Sequence, residues 1–160
     1  MNKAMKKILC LILCVLACVG SAEEFESLDA EKIALDSDCL ISAIVRCPQL
    51  TSFEDEVPYA LAKAIELSYA ELNPENPLTL EEIFACPISE ESELALGNFV
   101  SRNYVIDSAL DTGLGSVKIS VSVYAFVDEG EEFEFAFDIT VLPGETSASG
   151  VKILKIFFPD

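Results

Sequence analysis

Histidine and tryptophan are absent from this 160-residue chain, and only 10 lysines and arginines stand against 28 aspartates and glutamates. Without histidine the chain has no Ser-His-Asp triad, no Cys-His pair and no histidine-ligated zinc site. It also lacks a glycine-rich phosphate loop, and its basic residues do not cluster. These absences remove the commonest catalytic machinery, and the formal charge of −18 disfavours nucleic acid as a partner.

The first 22 residues have the pattern of a secretory signal peptide. Three lysines within the first seven residues precede an uncharged, largely apolar run at 8–20, and small residues follow at 20–22. The run is too short to span a bilayer. Cleavage after Ala22 leaves 7 basic and 28 acidic residues, a charge of −21. We therefore predict a secreted or periplasmic protein, with residues 23–160 as a single domain and no transmembrane helix in the mature chain.

A lipoprotein signal is the alternative interpretation of the same segment. Residues 15–18 read Val-Leu-Ala-Cys, which resembles a lipobox with Cys18 as the lipidated residue. Leu16 is bulkier than that pattern favours, so ordinary cleavage is preferred. If Cys18 is lipidated, it anchors the protein to a bacterial membrane, and we expect membrane attachment by no other means.

Two runs of alternating apolar and polar residues, joined by Asp128-Glu129-Gly130, predict a β-hairpin. Gly130 is expected to adopt the left-handed conformation that closes a three-residue loop. The register then follows, because it places every apolar residue of one strand opposite an apolar partner. The predicted pairs are Phe133 with Ala125, Phe135 with Val123, Phe137 with Val121, Ile139 with Ile119, and Val141 with Val117. Burial of this face makes the hairpin the centre of the predicted core.

The helices are predicted before the hairpin. Residues 23–37 form an acidic arm, either a short helix or a loose segment, and residues 38–46 form a short helix or a buried strand. The main amphipathic helix is expected at 55–72, with Pro58 in its first turn and Asn73-Pro74 ending it. Thr79 to Glu82 has the form of a capping box that opens a short helix.

The remaining strands follow an acidic linker at 88–93. We predict a strand at 98–106, a loop at 107–115, and a final strand at 151–158 that is apolar on both faces and therefore covered on both sides or buried in a partner. The predicted fold class is α+β: one main amphipathic helix plus short helices packed on a four-stranded antiparallel meander sheet, with the main helix across its Val/Phe face.

The order of these elements resembles the helix-on-curved-sheet arrangement of cystatin-like and nuclear-transport-factor-2-like folds. The Gln-x-Val-x-Gly inhibitory loop of cystatins is absent, since residues 107–116 read DSALDTGLGS, and no tryptophan is available for the second inhibitory loop. Protease inhibition of the cystatin type is therefore not expected.

Three cysteines remain after signal cleavage: Cys39, Cys47 and Cys86. Cys47 and Cys86 each end an element immediately before a proline, and this pair is our candidate disulfide. Cys39 and Cys47 are too far apart to bond if a continuous helix or strand joins them. A nucleophilic thiol is disfavoured, because no histidine activates it and no Cys-x-x-Cys spacing occurs.

Carboxylates and aromatic residues supply the other candidates. Asp36 with Asp38, and the acidic cluster at 128–134, could offer oxygen ligands to Ca²⁺, but neither follows a calcium-loop pattern. We therefore assign no metal, cofactor or catalytic residue, and interpret the acidic turn as solvated. Tyr59, Tyr69, Tyr104, Tyr124 and Phe126 either line a pocket or belong to the core.

The sequence favours an exported, non-enzymatic binding or interaction domain for an unidentified protein or small ligand. Basic proteins, cationic peptides and divalent cations are the partners that its charge attracts. The alternatives are a carboxylate-based hydrolase acting on an extracellular polymer, which needs paired carboxylates with one raised pKa, and a lipid-anchored surface protein.

Overall fold

The computed structural model describes residues 25–47, 51–91, 99–127, 130, 132–144 and 149–159. The predicted signal peptide and Cys18 lie outside these ranges. The helices are α1 (Ala30–Asp36), α2 (Asp38–Val45), α3 (Tyr59–Leu72) and α4 (Leu80–Ile83), and the strands are β1 (Val57–Pro58), β2 (Ile88–Ser89), β3 (Phe99–Asp111), β4 (Val117–Val127), β5 (Glu132–Pro143) and β6 (Val151–Phe157). The fold class is α+β, as predicted. Among the described residues, no helix is long and apolar enough to cross a membrane.

The main sheet is an antiparallel meander in the order β3-β4-β5-β6. The five pairs predicted between β4 and β5, from Val117 with Val141 to Ala125 with Phe133, are confirmed. Gly130 has a φ of +79°, the left-handed conformation expected of it. The alternation decides this register, because a one-residue slip would turn an apolar face to water. We call the face that carries Val121 and Phe137 the inner face.

Phe133 is an exception to the predicted burial, since 48% of its surface is exposed. It pairs with Ala125, which pairs in turn with Arg102 of β3. Arg102 contacts the carbonyl of Val45, the last residue of α2. The helix layer therefore ends at this row of the sheet, and the Phe133 ring extends beyond it.

The final strand contains a bulge that the sequence pattern did not reveal. Val141 pairs with Ile153, whereas Thr140 pairs with Lys155, so Leu154 is an extra residue in β6. Because of this extra residue, Ile153 and Ile156 lie on the same face although they are three positions apart. Both are buried on the inner face. The prediction of a strand covered on both sides is therefore wrong. Phe157, on the outer face, is 53% exposed.

The first strand of the sheet is longer than predicted. β3 continues to Asp111, so most of the loop expected at 107–115 is strand. A register shift between Ile106 and Ser108 keeps β3 paired with β4 along this extension. The loop is confined to the few residues between Asp111 and Val117, where Gly113 and Gly115 have positive φ angles.

Helices α1 and α2 lie against the sheet through contacts with β3, and α1 also contacts β4. Asp29 caps α1 by accepting a hydrogen bond from the Lys32 N–H at 3.1 Å. Ser37 stands at the N-terminus of α2, but its hydroxyl donates to the Ile33 carbonyl of α1 at 2.7 Å. Of the two structures predicted for residues 38–46, the structure has the helix.

The longest helix, α3, packs on α2, α4 and the small β1–β2 sheet. It begins at Tyr59, four residues later than predicted, because Val57 and Pro58 pair in parallel with Ile88 and Ser89. Residues 88–89, predicted as linker, are thus a strand. α3 was expected to lie across the inner face of the sheet; the helices that contact β3 and β4 most closely are α1 and α2, and Leu61 and Ile65 of α3 belong to the same core cluster as Val121 and Phe137. The predicted end is confirmed at Leu72.

Two segments from the helical half cover the outer edge of β6. Phe53 exchanges backbone hydrogen bonds with Ile156 at 2.8 and 3.0 Å, and the Ala85 N–H donates to the Ile153 carbonyl at 2.8 Å. Ala85 lies two residues after the end of α4. The capping box predicted for α4 is present, and the Thr79 N–H donates to Glu82 at 2.8 Å. These contacts join the sheet to the helices without a long unpaired edge at β6.

Candidate binding surface on the outer sheet face

The outer face of the sheet is open to solvent. Side chains that alternate with the buried ones are exposed on three of its strands: Val105 by 52%, Tyr124 by 41% and Phe157 by 53%. Val105 and Tyr124 lie in adjacent rows of neighbouring strands, whereas Ser120 and Asp138 lie between them and Phe157. Exposed apolar side chains next to one another are typical of interaction surfaces, so the region around Tyr124 is the candidate surface.

A depression of about 510 Å³ lies on the sheet beside the β4–β5 turn. Two cross-strand rows form its floor: Asn103, Tyr124 and Glu134 lie side by side on β3, β4 and β5, and Phe126 pairs with Glu132 one row nearer the turn. Phe133 and Ala125 complete the lining. We call this depression the aromatic–acidic groove.

The groove combines aromatic rings with carboxylates. Glu132 and Glu134 are both exposed to solvent. An ammonium or guanidinium group above a tyrosine or phenylalanine ring is attracted by the ring's quadrupole, and an adjacent carboxylate adds a charge-assisted hydrogen bond. The chemistry of the groove therefore matches a cationic group, while Asn103 offers a neutral donor and acceptor.

The structure brings together only two of the five aromatic residues predicted as pocket or core. Tyr124 and Phe126 line the groove. Tyr59 lies on α3 with 44% of its surface exposed, and Tyr69 is buried in the core. Tyr104 donates a hydrogen bond to the Asp38 carboxylate at 2.6 Å, which ties β3 to the start of α2.

Glu132 and Glu134 were missed as site residues because their acidic run was interpreted as a solvated turn. The signal was available, since the alternation that buries Phe135 places Tyr124, Phe126, Glu132 and Glu134 on the opposite face. Asn103 could not be assigned from the sequence, because its position depends on the register between β3 and β4.

Asp36 and Asp38, the other pair of carboxylates considered as Ca²⁺ ligands, have different partners. Asp38 accepts the hydrogen bond from Tyr104, whereas the Asp36 carboxylate pairs with Lys32 at 2.7 Å. Within the described ranges no three histidine, cysteine, aspartate or glutamate side chains are grouped to hold a metal ion. Asp128, Glu129 and Glu131 of the acidic turn lie outside those ranges.

Cys39, Cys47 and Cys86 are free thiols in this structure, so it contains no disulfide between Cys47 and Cys86. Both are buried, and Cys39 is exposed. Burial raises the pKa of the Cys47 thiol to about 12, although the nearby Arg102 guanidinium acts in the opposite direction. Burial also raises the pKa of Cys86. Both buried thiols are thus protonated at neutral pH and are poor nucleophiles.

The carboxylate-based hydrolase requires a carboxyl group with a raised pKa. The pKa of Asp111 is shifted in the opposite direction, because its carboxylate accepts hydrogen bonds from the backbone N–H groups of Leu28 and Gly113. Hydrogen bonds to the ionised form lower a carboxyl pKa. Asp111 therefore anchors the N-terminal segment rather than serving as a general acid.

No protein-family model, curated protein or solved structure matches this chain.

Proposed function

We propose that this protein is an exported, non-enzymatic binding domain, and that its aromatic–acidic groove binds a lysine- or arginine-bearing segment of a partner protein. The observation that carries the proposal is the groove itself, in which Tyr124 and Phe126 lie beside Glu132 and Glu134 on an exposed sheet face. Aromatic side chains beside a few charged or polar groups are a common composition of a ligand site.

The charge of the whole chain supports a cationic partner. With the first 22 residues removed, the formal charge is −21, and such a field raises the local concentration of basic molecules and speeds their association. The field alone would attract any cation. The rings of Tyr124 and Phe126 add the contact that distinguishes a docked ammonium or guanidinium group from a screened counterion.

The non-enzymatic and exported parts of the proposal draw on different observations. The absence of histidine and the protonated buried thiols support a binding role over nucleophilic catalysis. Residues 1–22 begin with lysines, continue with an apolar run and end with small residues, and this pattern supports export. The alternative is export as a lipoprotein with Cys18 lipidated.

Calorimetric titration with a short peptide of alternating arginine and glycine tests the groove. We expect Tyr124→Ala to weaken binding by about 3- to 30-fold, the equivalent of a cation–π contact of roughly 0.5–2 kcal/mol. Glu134→Gln should weaken binding in the same direction. Binding should weaken for all variants as salt is added, because the charges are screened.

Tyr59→Ala and Glu75→Gln are the matched controls. Tyr59 is exposed to nearly the same extent as Tyr124 but lies on α3, and Glu75 is exposed in the segment after α3. Each control removes the same chemical group from another surface. Equal weakening by the control and the groove variants would show non-specific attraction to an acidic protein, and would refute the proposed site.

A further inference from the structure

Three lysines meet at the other end of the outer face, although they are distant in the sequence. Lys118 of β4 and Lys155 of β6 both pair with Thr140 of β5, from opposite sides. Lys152 pairs with Leu142, two residues from Thr140 on the same face. The expectation that the basic residues do not cluster is therefore wrong, because the sheet register brings these three to one face. We call Lys118, Lys152 and Lys155 the lysine patch.

The composition of the chain makes this grouping unusual. Apart from the three lysines of the predicted signal, the sequence contains only Lys32, Lys63 and the lysine patch. Lys32 pairs with Asp36 on α1, and Lys63 pairs with Glu66 on α3. These two form local helical ion pairs, whereas the patch lysines come from two strands that flank a third.

Thr140 adds a second observation at the centre of the patch. It is only 4% exposed, one of few polar residues buried to this extent in the described chain. Its hydroxyl makes no hydrogen bond to any described residue, although it lies on the outer face between two lysines. Among the described residues only the Ser68 hydroxyl is both buried and unpartnered, so the Thr140 hydroxyl keeps contact with solvent. The hydroxyl is therefore positioned for a ligand that the lysines also contact.

The carboxylates beside the patch hold the lysines only loosely. The Lys118 Nζ is 3.8 Å from the Asp138 Oδ2, and the Lys155 Nζ is 3.6 Å from the Glu54 Oε1. Asp138 also accepts a closer hydrogen bond from Ser120, at 2.7 Å, and Glu54 is largely exposed. Exposed ion pairs of this length contribute about 0–1 kcal/mol, so the ammonium groups can turn to a shared anion at little cost.

Lys152 has no carboxylate within ion-pair distance in the described part of the chain. Among the described residues, three ammonium groups therefore face two carboxylates around Thr140. Charge complementarity then favours an anion with at least two negative charges and several acceptor oxygens, since it can contact more than one lysine and the hydroxyl together.

We propose that the lysine patch and Thr140 form a binding site for a doubly charged oxyanion of the phosphate or sulfate type, either free or as an ester. The lysines would donate from the sides and the Thr140 hydroxyl from below. The site is separate from the aromatic–acidic groove. Glu134 and Thr140 are six positions apart on β5, a distance of about 20 Å along the strand.

The test compares inorganic phosphate with sodium chloride at equal ionic strength and neutral pH, on the mature protein. Chemical shifts of the lysine ε-methylene groups in ¹³C-resolved NMR spectra report binding at each lysine. We expect phosphate to shift the signals of Lys118, Lys152 and Lys155 in a saturable manner that chloride does not reproduce. Lys32 and Lys63 should show no such saturation.

Lysine-to-glutamine variants distinguish a specific phosphate site from non-specific electrostatic attraction. Lys118→Gln with Lys155→Gln should weaken phosphate binding by at least about tenfold, as the loss of charged hydrogen bonds implies. Lys32→Gln with Lys63→Gln makes the same change in net charge and should leave binding within about twofold. Thr140→Val, which removes the hydroxyl and keeps the shape, should weaken binding by about three- to tenfold with the fold unchanged in circular dichroism.

A second arm uses glycerol 2-phosphate, which carries the same oxyanion as an ester. Tighter binding of the ester than of inorganic phosphate would assign the site to a phosphorylated or sulfated molecule, and the reverse order would assign it to the free anion. Either order supports the site. Equal responses of the two double variants, or a phosphate response no greater than that of chloride, would overturn it.

Discussion

Arg102 holds the C-terminal end of helix α2 from the sheet, and its removal should destabilise the protein more than the loss of any exposed charge. Its Nη1 donates to the Val45 carbonyl at 2.6 Å and also to the Cys47 carbonyl. Tyr104, two residues along β3, contacts Asp38 at the other end of the same helix. One strand thus secures both ends of α2, the helix on which α3 packs.

The expected magnitude follows from these contacts. Each hydrogen bond from a charged donor contributes about 1.5–3 kcal/mol, and a cation at a helix C-terminus adds roughly 0.3–1 kcal/mol. The Arg102 side chain is only partly buried, so water replaces some of the lost interaction. We therefore expect Arg102→Met, which keeps most of the apolar stem, to lower the free energy of unfolding by about 2–4 kcal/mol.

Urea unfolding followed by far-UV circular dichroism measures the effect. With a slope of about 2 kcal/mol per molar urea, the midpoint should fall by about 1–2 M. Arg46→Met is the matched control, because Arg46 is the exposed C-cap residue of the same helix and its loss changes the net charge equally. If Arg102→Met changed the unfolding free energy by less than about 0.5 kcal/mol, or no more than Arg46→Met, the proposed role of Arg102 would be refuted.

Two further predictions concern the core and its response to pH. Because the β6 bulge turns Ile156 inward and leaves Phe157 exposed, Ile156→Ala should cost about 2–5 kcal/mol in urea unfolding, and Phe157→Ala about 0.5 kcal/mol or less; the reverse order would contradict the bulge. Burial raises the pKa of Cys47 from 9.0, and burial and the Asp38 contact raise that of Tyr104 from 10.0, both to about 12. The folded protein therefore retains protons that the unfolded chain releases, so stability should fall as pH rises from about 9 to 12, by at most about 1.4 kcal/mol per pH unit for each group. Urea midpoints across this range should fall less steeply for Tyr104→Phe than for the unmodified protein, and an equal slope would contradict the assignment.

The sequence alone indicates the aromatic–acidic groove more clearly than the lysine patch at the other end of the outer face. The acidic and aromatic residues of the groove belong largely to one hairpin, so their common face follows from alternation between Tyr124 and Glu134. The patch lysines belong to strands joined through β5, and Leu154 shifts the parity between Lys152 and Lys155. A cluster made across a bulge cannot be obtained from spacing along the chain.

The elements that the amino-acid order specifies are those made by neighbours in the chain. Alternation and Gly130 are sufficient for the pairing of Val123 with Phe135, and the Asn73-Pro74 pair is sufficient to end α3, because steric and apolar preferences act there within a few residues. The later start of α3 depends on a contact between residues that are distant in the sequence. It requires Val57 to pair with Ile88, thirty-one positions away, and no local preference encodes that contact.

Folding also decided which apolar residues are covered. Phe133 and Phe137 belong to the same alternating run, yet one is half exposed and the other fully buried, because the helix layer stops at the row that Arg102 occupies. Periodicity assigns a side chain to a face of the sheet. Whether anything lies above that face depends on where distant helices pack, and this is why the open surface, the groove and the lysine patch emerge only once the chain is folded.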